Sequence, residues 1–514
     1  MIIIYHKNNK VVELSRNDFT FCKAINSQTV STFLLDLAHK NPTELLVWCH
    51  ISLKEHLNIL EIEKLFLHKK MLLSYSTFEI PFLNKGIGYV DESPFITVNS
   101  GVKFPTWLMS SCVGGVHAEV LLHLKNRIIP DTNFDYFLCS IAKQVMPKGI
   151  FCYSEPKLLN HKINFKNKDS NLFILFRFVK QHYKLRWTFL LFVNLFLYER
   201  KIPLFPFIYS LFYKNRTKKF AVNFEKINGI TTNKSSNSIS LDVIIPTIGR
   251  KKYLYDFLFD LKLQTFLPTK VIIVEQNQIN GSVSELDFLT NQIWPFEISH
   301  TFIHETGACN ARNIALKQVT SDWVFFADDD IRIASGFIKD TFEKIESLAV
   351  KAVSIKCIEK EVDINEDAVF QWATFGAGSS FVFSECLKGC EFKKGYEFGY
   401  GEDADFGMQL RNKGCDIVYF SNPKILHLKA PIGGFRTKPL LKWHNDTIQP
   451  KPSPTVMLYL LLHTTKEQLQ GYKLVLFLKY YRFQNIKNPI SYFISFRKKW
   501  ARSVYWANQL NKIG

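Results

Sequence analysis

The chain has 514 residues, 47% of them hydrophobic, a length that suits two to four domains with sizeable cores. Lys and Arg outnumber Asp and Glu by 65 to 46, a formal charge of +19; this favours polyanionic partners (phosphorylated substrates, acidic membrane faces, nucleic acid) without choosing among them. The ten cysteines form no CxxC pair, which argues against a zinc site and fits a reducing, cytoplasmic compartment.

The opening MIIIYHKNNK is too short an apolar run for a signal peptide. Residues 1–161 read as an α/β domain whose strand LLVWC ends at His50, Ile51 and Ser52. Three of its segments have counterparts in the second half of the chain. HKNPTELLVWCHISL (39–53) matches KQVTSDWVFFADDDI, with HIS where the other has DDD. SCVGGVHAEVL (111–121) matches TFGAGSSFVFS, and DYFLCSIAKQVMPKGIFCYSEPKLLNH (135–161) matches DFGMQLRNKGCDIVYFSNPKILH with a spacing difference of about three residues. The pattern predicts a worn repeat, catalytically inert, that binds acceptor or supports the fold. An unrelated α/β domain is the alternative.

Residues 162–240 are basic and aromatic, with Pro203 and Pro206 placed to break helices, and close in a polar linker, NGITTNKSSNSIS (228–240). The longest apolar run, 187–198, has about twelve residues, against roughly 20 for a spanning helix. Residues 437–514 repeat the aromatic and basic mixture. Both regions suit helices resting on anionic lipid, at the inner face of a membrane, or helices packed over a sheet.

Between them, residues 241–436 alternate strand and helix. LDVIIPT, VIIVE and WVFFA read as buried strands, and 253–265 and 307–319 read as helices. Such alternation predicts a parallel α/β sheet with ligands at the carboxyl ends of its strands. Pro246-Thr247, Glu275-Gln276 and Asp328 to Asp330 all fall at such ends, so one crevice should be lined by three strand tips.

Three adjacent carboxylates repel one another, and burying them unpaired is costly. A hard divalent cation, Mg²⁺ or Mn²⁺, removes that cost and leaves room for substrate phosphates. Asp328 and Asp330, two apart, can share one ion while Asp329 faces elsewhere; a solvated acidic loop is the alternative. GYGEDADFGMQLRNKG (399–414) places Glu402 and Asp403 at or before a helix that begins at about Asp405. There they either cap the helix or supply a general base for an attacking hydroxyl. His427 follows a short strand and could complete the metal sphere. Arg436, beyond a Gly-rich loop, could bind a diphosphate. Arg312 in CNARN is either a phosphate contact or a surface arginine.

Taken in order, LDVIIPT, TGACNARNIAL, SDWVFFADDDI, FGAGSSFVFS, GYGEDADFGMQLRNKG and NPKILH resemble glycosyltransferase family 2. The resemblance covers about 241–436. It implies a GT-A fold (Rossmann-like), a nucleotide-diphospho-sugar donor, a divalent metal and transfer with inversion to a glycan or lipid-linked acceptor, as in cell-surface polysaccharide synthesis. Carried over, the DxD-type motif falls on Asp328, Asp329 and Asp330, the base on Asp403 with Glu402 beside it, and the late metal-ligand histidine on His427. Pro246 and Thr247 stand where the nucleotide pocket begins. Many members carry a double aspartate after the second strand; this chain has VIIVEQNQ, and Glu275 takes the acidic role toward base or ribose. Residues 375–383 (FGAGSSFVF) would line the donor-sugar and acceptor side. The domains expected are a degenerate GT-A-like half (1–161), a helical segment with linker (162–240), the catalytic domain (241–436) and a helical C-terminal region (437–514). A non-catalytic carbohydrate- or nucleotide-sugar-binding protein is the competing reading. Nucleic-acid binding is not expected, because no recognition motif accompanies the charge.

Overall fold

The alternation of β-branched runs and amphipathic helices builds two α/β units in the computed structural model. It describes residues 1–513 apart from 17–18, 24–27, 79–81, 125–126, 162–170, 218–221, 223, 225–226, 228–238, 361–366 and 432–439. One unit comprises Met1–Thr231 with Thr464–Tyr480, the other Thr232–His463 with Tyr481–Gly514.

The first unit contains β1 (Ile2–Lys7), β2 (Lys10–Arg16), β3 (Phe19–Lys23), β4 (Leu45–His50), β5 (Met71–Tyr75), β6 (Phe104–Pro105), β7 (Val113–His117) and β8 (Phe151–Ser154). Their order across the sheet is β3-β2-β1-β4-β7-β5-β8-β6. The helix Lys466–Tyr480 belongs to this unit: Gln468 Nε2 donates to the carbonyls of Asp91 and Ser93, each at 3.0 Å.

The second unit contains β9 (Leu241–Thr247), β10 (Lys270–Gln276), β11 (Glu297–Ile303), β12 (Trp323–Ala327), β13 (Ile331–Arg332), β14 (Ala352–Ile358), β15 (Val369–Gln371), β16 (Ser379–Phe383) and β17 (Val418–His427). Its order is β11-β10-β9-β12-β16-β14-β17-β13, with β15 also on β17. The parallel sheet expected from the sequence is in fact mixed. β11, β10, β9 and β12 run parallel, but β16 lies antiparallel between β12 and β14. Antiparallel neighbours need no helical crossover, and no helix separates β14 from β16 among the described residues.

The two sheets share a path. The steps β1-β4-β7-β5-β8 are parallel, antiparallel, antiparallel and parallel. The steps β9-β12-β16-β14-β17 repeat that sequence of senses. The worn repeat is therefore a GT-A-like half, and its loss is local. Where β9 continues into parallel β10 and β11, β1 turns back into the antiparallel hairpin of β2 and β3.

Packing fixes the strand that carries the aspartates. All five residues of β12 are buried. Phe325 stacks on Phe381 at 4.3 Å, and Phe326 meets Phe375, Phe392 and Phe406 edge-on. At its start, the buried Asp242 accepts the N–H groups of Thr320 (2.7 Å) and Ser321 (3.1 Å) and the Ser321 hydroxyl (2.6 Å). A buried carboxylate is thus satisfied while the turn into β12 is pinned.

Several boundaries differ from those expected. The helices at 253–265 and 307–319 are Lys251–Lys262 and Ala308–Leu316. Pro206 does not break its helix; it sits in the first turn of Leu204–Leu211, where a missing N–H costs nothing. His427 ends β17 rather than following it. The acidic helix is Glu402–Asn412, so Glu402 and Asp403 lie inside its first turn behind Gly401 at φ 115°. The C-terminal helix Pro489–Leu510 buries Tyr492, Phe496, Trp500, Ser503 and Ala507 along one face, packed against Pro454–His463.

Candidate active site

β10, β9 and β12 are adjacent and parallel, so their carboxyl ends lie side by side, with Glu275 opposite Thr247 in the ladder. The three aspartates leave β12 there and go three ways. Asp329, 2% exposed, accepts the Thr247 hydroxyl (2.6 Å) and Arg250 Nη1 (2.6 Å). Burial pushes its carboxyl up to about 6, against the pull of Arg250 and Thr247. Asp330 accepts the Ala430 amide at 2.8 Å and lies 3.2 Å from His427 Nε2. For Asp330, burial is outweighed by His427, the Ala430 amide and Arg250, which bring it to about 2. Asp328, the most exposed of the three, lies 3.4 Å from Arg312 Nη2.

β13 pairs with β17 so that Ile331 stands opposite His427. That register returns the histidine to the aspartates. One ligand atom from each of Asp328, Asp330 and His427 lies within 4.8 Å of the others. Two hard carboxylates and an imidazole suit Mn²⁺ or Mg²⁺. Asp329, turned toward Arg250 and Thr247, is not part of this group. The backbone makes room on the far side: a Cβ on Gly378 would sit 2.1 Å from Asp328 Oδ2.

A second carboxylate pair faces the first across one loop. Gly378 touches Asp328, and the amide of its neighbour Ala377 bonds Asp403. Asp403 Oδ1 is buried without a hydrogen-bond partner among the described residues. Burial, then the charges of Glu402 and Asp328, push Asp403 up to about 7 against the attraction of Arg312. Glu402 is raised too, first by burial. A carboxyl raised in this way can exchange a proton near neutral pH.

Arg312 is not a surface arginine. It is 8% exposed, lies over the Phe392 ring at 5.4 Å and reaches Asp328. Its helix is anchored by Glu397, which accepts the amides of Cys309 (3.2 Å) and Asn310 (3.0 Å). Glu275 accepts the Ser284 hydroxyl (2.5 Å), His300 Nε2 (2.9 Å) and the Glu285 amide (3.4 Å). Those bonds outweigh burial and hold it below its usual range. Pro246 occupies the β9 tip beside Thr247. Arg436 lies outside the described residues. Sequence reasoning missed Arg250 and Glu397 and named Gly378 only as part of 375–383; no local signal marks the partner of either missed residue.

The first unit preserves half of this site. Asp135 is the second residue of Phe134–Val145, as Asp403 is of Glu402–Asn412. Ser111, two residues before β7, donates its amide (2.7 Å) and hydroxyl (2.9 Å) to Asp135; Ala377, two residues before β16, donates its amide to Asp403. The His50 amide bonds the Cys112 carbonyl as the Asp328 amide bonds that of Gly378. Asp135 thus answers to Asp403 rather than Asp405, which cuts the spacing mismatch before the shared PK motif from three residues to one. His50, Ile51 and Ser52 stand in place of the aspartates. Asp135→Asn is accordingly expected to leave donor turnover per folded molecule within about twofold of wild type, whereas a general base is worth about 10²–10⁴-fold; steady-state kinetics on matched active protein reads the difference.

Residues 242–388 match the family model described as glycosyl transferase family 2. The chain is 28% identical over 104 residues to the poly(ribitol-phosphate) beta-N-acetylglucosaminyltransferase TarS of Staphylococcus aureus, in strains Mu50 and MW2. That match covers 20% of this chain and 18% of the curated relatives, so it spans under a fifth of their length. Among solved structures, S. aureus TarS 1-349 with UDP-GlcNAc superposes at TM-score 0.38 and 19% identity over 53% of this chain and 81% of that one. The same fragment with UDP gives 0.31 and 21% over 36% and 59%. Asp403 and His427 lie beyond the family-model match, on the same sheet unit. Through the segment that bears the aspartates, the chain is thus similar to the family 2 glycosyl transferases.

Proposed function

We propose that the chain is an inverting, metal-dependent glycosyltransferase. It moves a sugar from a nucleotide-diphosphate donor to a hydroxyl of a glycan or lipid-linked acceptor in cell-surface polysaccharide synthesis, with 241–436 as its catalytic domain. The observation that carries this reading is the meeting of two halves in one loop: the Asp328, Asp330 and His427 cluster on one side of Ala377-Gly378 and Asp403 on the other.

Asp403 accepts the proton of the acceptor hydroxyl as its oxygen bonds the anomeric carbon and the bond to diphosphate breaks. Asp328, Asp330 and His427 would hold Mn²⁺ or Mg²⁺, which would supply charge neutralisation for the leaving diphosphate. Arg312 adds fixed positive charge beside Asp328, preorganised by its burial. Arg250 holds Asp329 and Asp330, keeping the triad's charge in check. Pro246, Thr247 and Glu275 line the nucleotide side. Small residues at 376–380 let a sugar ring approach the backbone closely.

Thermal shift and donor hydrolysis with a panel of UDP-, GDP-, dTDP- and CMP-sugars, with Mn²⁺ or with EDTA, test the reading. UDP-GlcNAc comes first, because the curated relatives are named as N-acetylglucosaminyltransferases. One nucleotide class should raise Tm only with metal; saturation at about 100 times Kd contributes ~2.7 kcal/mol. Asp328→Asn/Asp330→Asn should abolish the shift. No metal-dependent response to any donor would favour the non-catalytic binding role instead.

A further inference from the structure

Two regions of the sequence mix aromatic and basic residues, and the structure separates them. The C-terminal helix turns Tyr492, Phe496 and Trp500 into its own unit and leaves Phe493 and Tyr505 exposed. In the other unit, Leu172–His182 buries Phe176 and Phe178 and exposes Phe173, whereas Leu185–Glu199 and Leu204–Leu211 bury none of their aromatic rings fully. On Leu185–Glu199 the exposed residues Leu185, Phe189, Val193 and Phe196 recur at spacings of four, four and three, which is one helix face. The opposite face, with Thr188, Leu191 and Leu195, is buried. On the next helix and just past its end, Phe205 is 78% exposed and Phe212 83%. Ring contacts join the elements into one surface: Phe189 meets Phe207 at 5.0 Å, and Phe173 meets Tyr209 at 5.5 Å. A contiguous apolar surface of this kind marks an interaction site.

Charge selects the partner. Residues 171–217 contain eight Lys and Arg but one acidic residue, Glu199, which pairs with Lys201. Lys184, Arg186, Arg200, Lys201 and Lys214 are exposed at the helix ends. We infer that this face docks on the surface of an anionic lipid bilayer, its aromatic side chains at the acyl boundary and its basic residues among the headgroups. A second copy would bring the same positive charge against itself; an anionic bilayer supplies the complement. The helices lie in the plane of the surface. Leu185–Glu199 is about 22 Å long at 1.5 Å per residue, short of the roughly 30 Å hydrocarbon core, and among the described residues no helix is long and apolar enough to cross a membrane.

Flotation of the full chain with vesicles of phosphatidylcholine, with and without phosphatidylglycerol, tests this independently of transferase activity. The chain should float with the anionic vesicles, and bind neutral ones about tenfold or more weakly. Phe196→Ser/Phe205→Ser/Phe212→Ser should weaken binding by about tenfold or more with unchanged Tm, since each side chain is at least half exposed. Lys184→Glu/Arg186→Glu should weaken it as well, as should raised salt. Absence of flotation, or equal flotation of the triple-Ser variant, overturns the inference. So does a concentration-dependent dimer that the triple-Ser variant breaks while no vesicle is bound. Donor hydrolysis should be unchanged in both variants, which keeps this result separate from the donor assay.

Discussion

Asp403→Asn is expected to lower kcat by about 10²–10⁴-fold while leaving metal-dependent donor binding intact, because the change removes a proton acceptor and not a ligand. The pH dependence carries the sharper signature. Burial, with Glu402 and Asp328 nearby, raises the Asp403 carboxyl to about 7 in spite of Arg312 and the Ala377 amide. A base works in its ionised form, so kcat/KM should climb as pH rises through about 7 and then level off. The Asn variant should lose that limb. Stability moves the other way. A carboxyl raised in the folded state stabilises the fold below its unfolded value of about 4, and that contribution is lost as pH rises through about 7. Asp403→Asn should therefore raise Tm more at pH ~8 than at pH ~5. A variant less active yet more stable at alkaline pH marks a group held under strain for function. Equal Tm changes at both pH values would mean that the carboxyl titrates normally and that its burial has another purpose.

What could be read from the chain alone depended on how local the signal was. WVFFA before DDD was legible because a fully buried strand reads as a continuous apolar run, and three carboxylates at its end demand a partner. The division of labour among the three aspartates also followed from alternation. The partners themselves did not. Arg250 meets Asp329 from 79 residues away, and nothing in TIGR announces it. Glu397 is hidden in a glycine- and aromatic-rich stretch, and its role as the anchor of the 308–316 helix exists only in three dimensions. The start of the acidic helix was misread because Asp405 begins the hydrophobic pattern, whereas Gly401 and the three carboxylates of the first turn set the true start. The same error displaced the repeat: with Asp135 opposite Asp405, the spacing failed, and the backbone amides of Ser111 and Ala377 correct it. The antiparallel β16 was missed because strand sense leaves no mark on a short apolar run.

Gly378→Ala should disable the metal cluster without touching a ligand. Gly378 is absent from the glycines with positive φ, so its backbone accepts alanine, and the added methyl alone decides the effect. That methyl would lie 2.1 Å from Asp328 Oδ2 and 2.4 Å from its Cγ. Asp328 is the more exposed end of the cluster and can swing away toward solvent, so the fold survives and the carboxylate leaves its place beside Asp330 and His427. Losing the support of one ligand costs about 10–100-fold in metal affinity; the Mn²⁺ concentration that half-restores donor binding should rise by that factor, with Tm of the metal-free protein shifted little. A double-mutant cycle separates this cause from general damage. If the methyl acts only through the Asp328 carboxylate, then adding Gly378→Ala to Asp328→Ala should cost nothing further in metal affinity. A second loss of similar size would place the defect instead in the neighbouring amide of Ala377, and the pH limb of Asp403 would then shift with it. Because the two halves of the site meet at adjacent residues of one loop, this cycle reads which half a single methyl group disturbs.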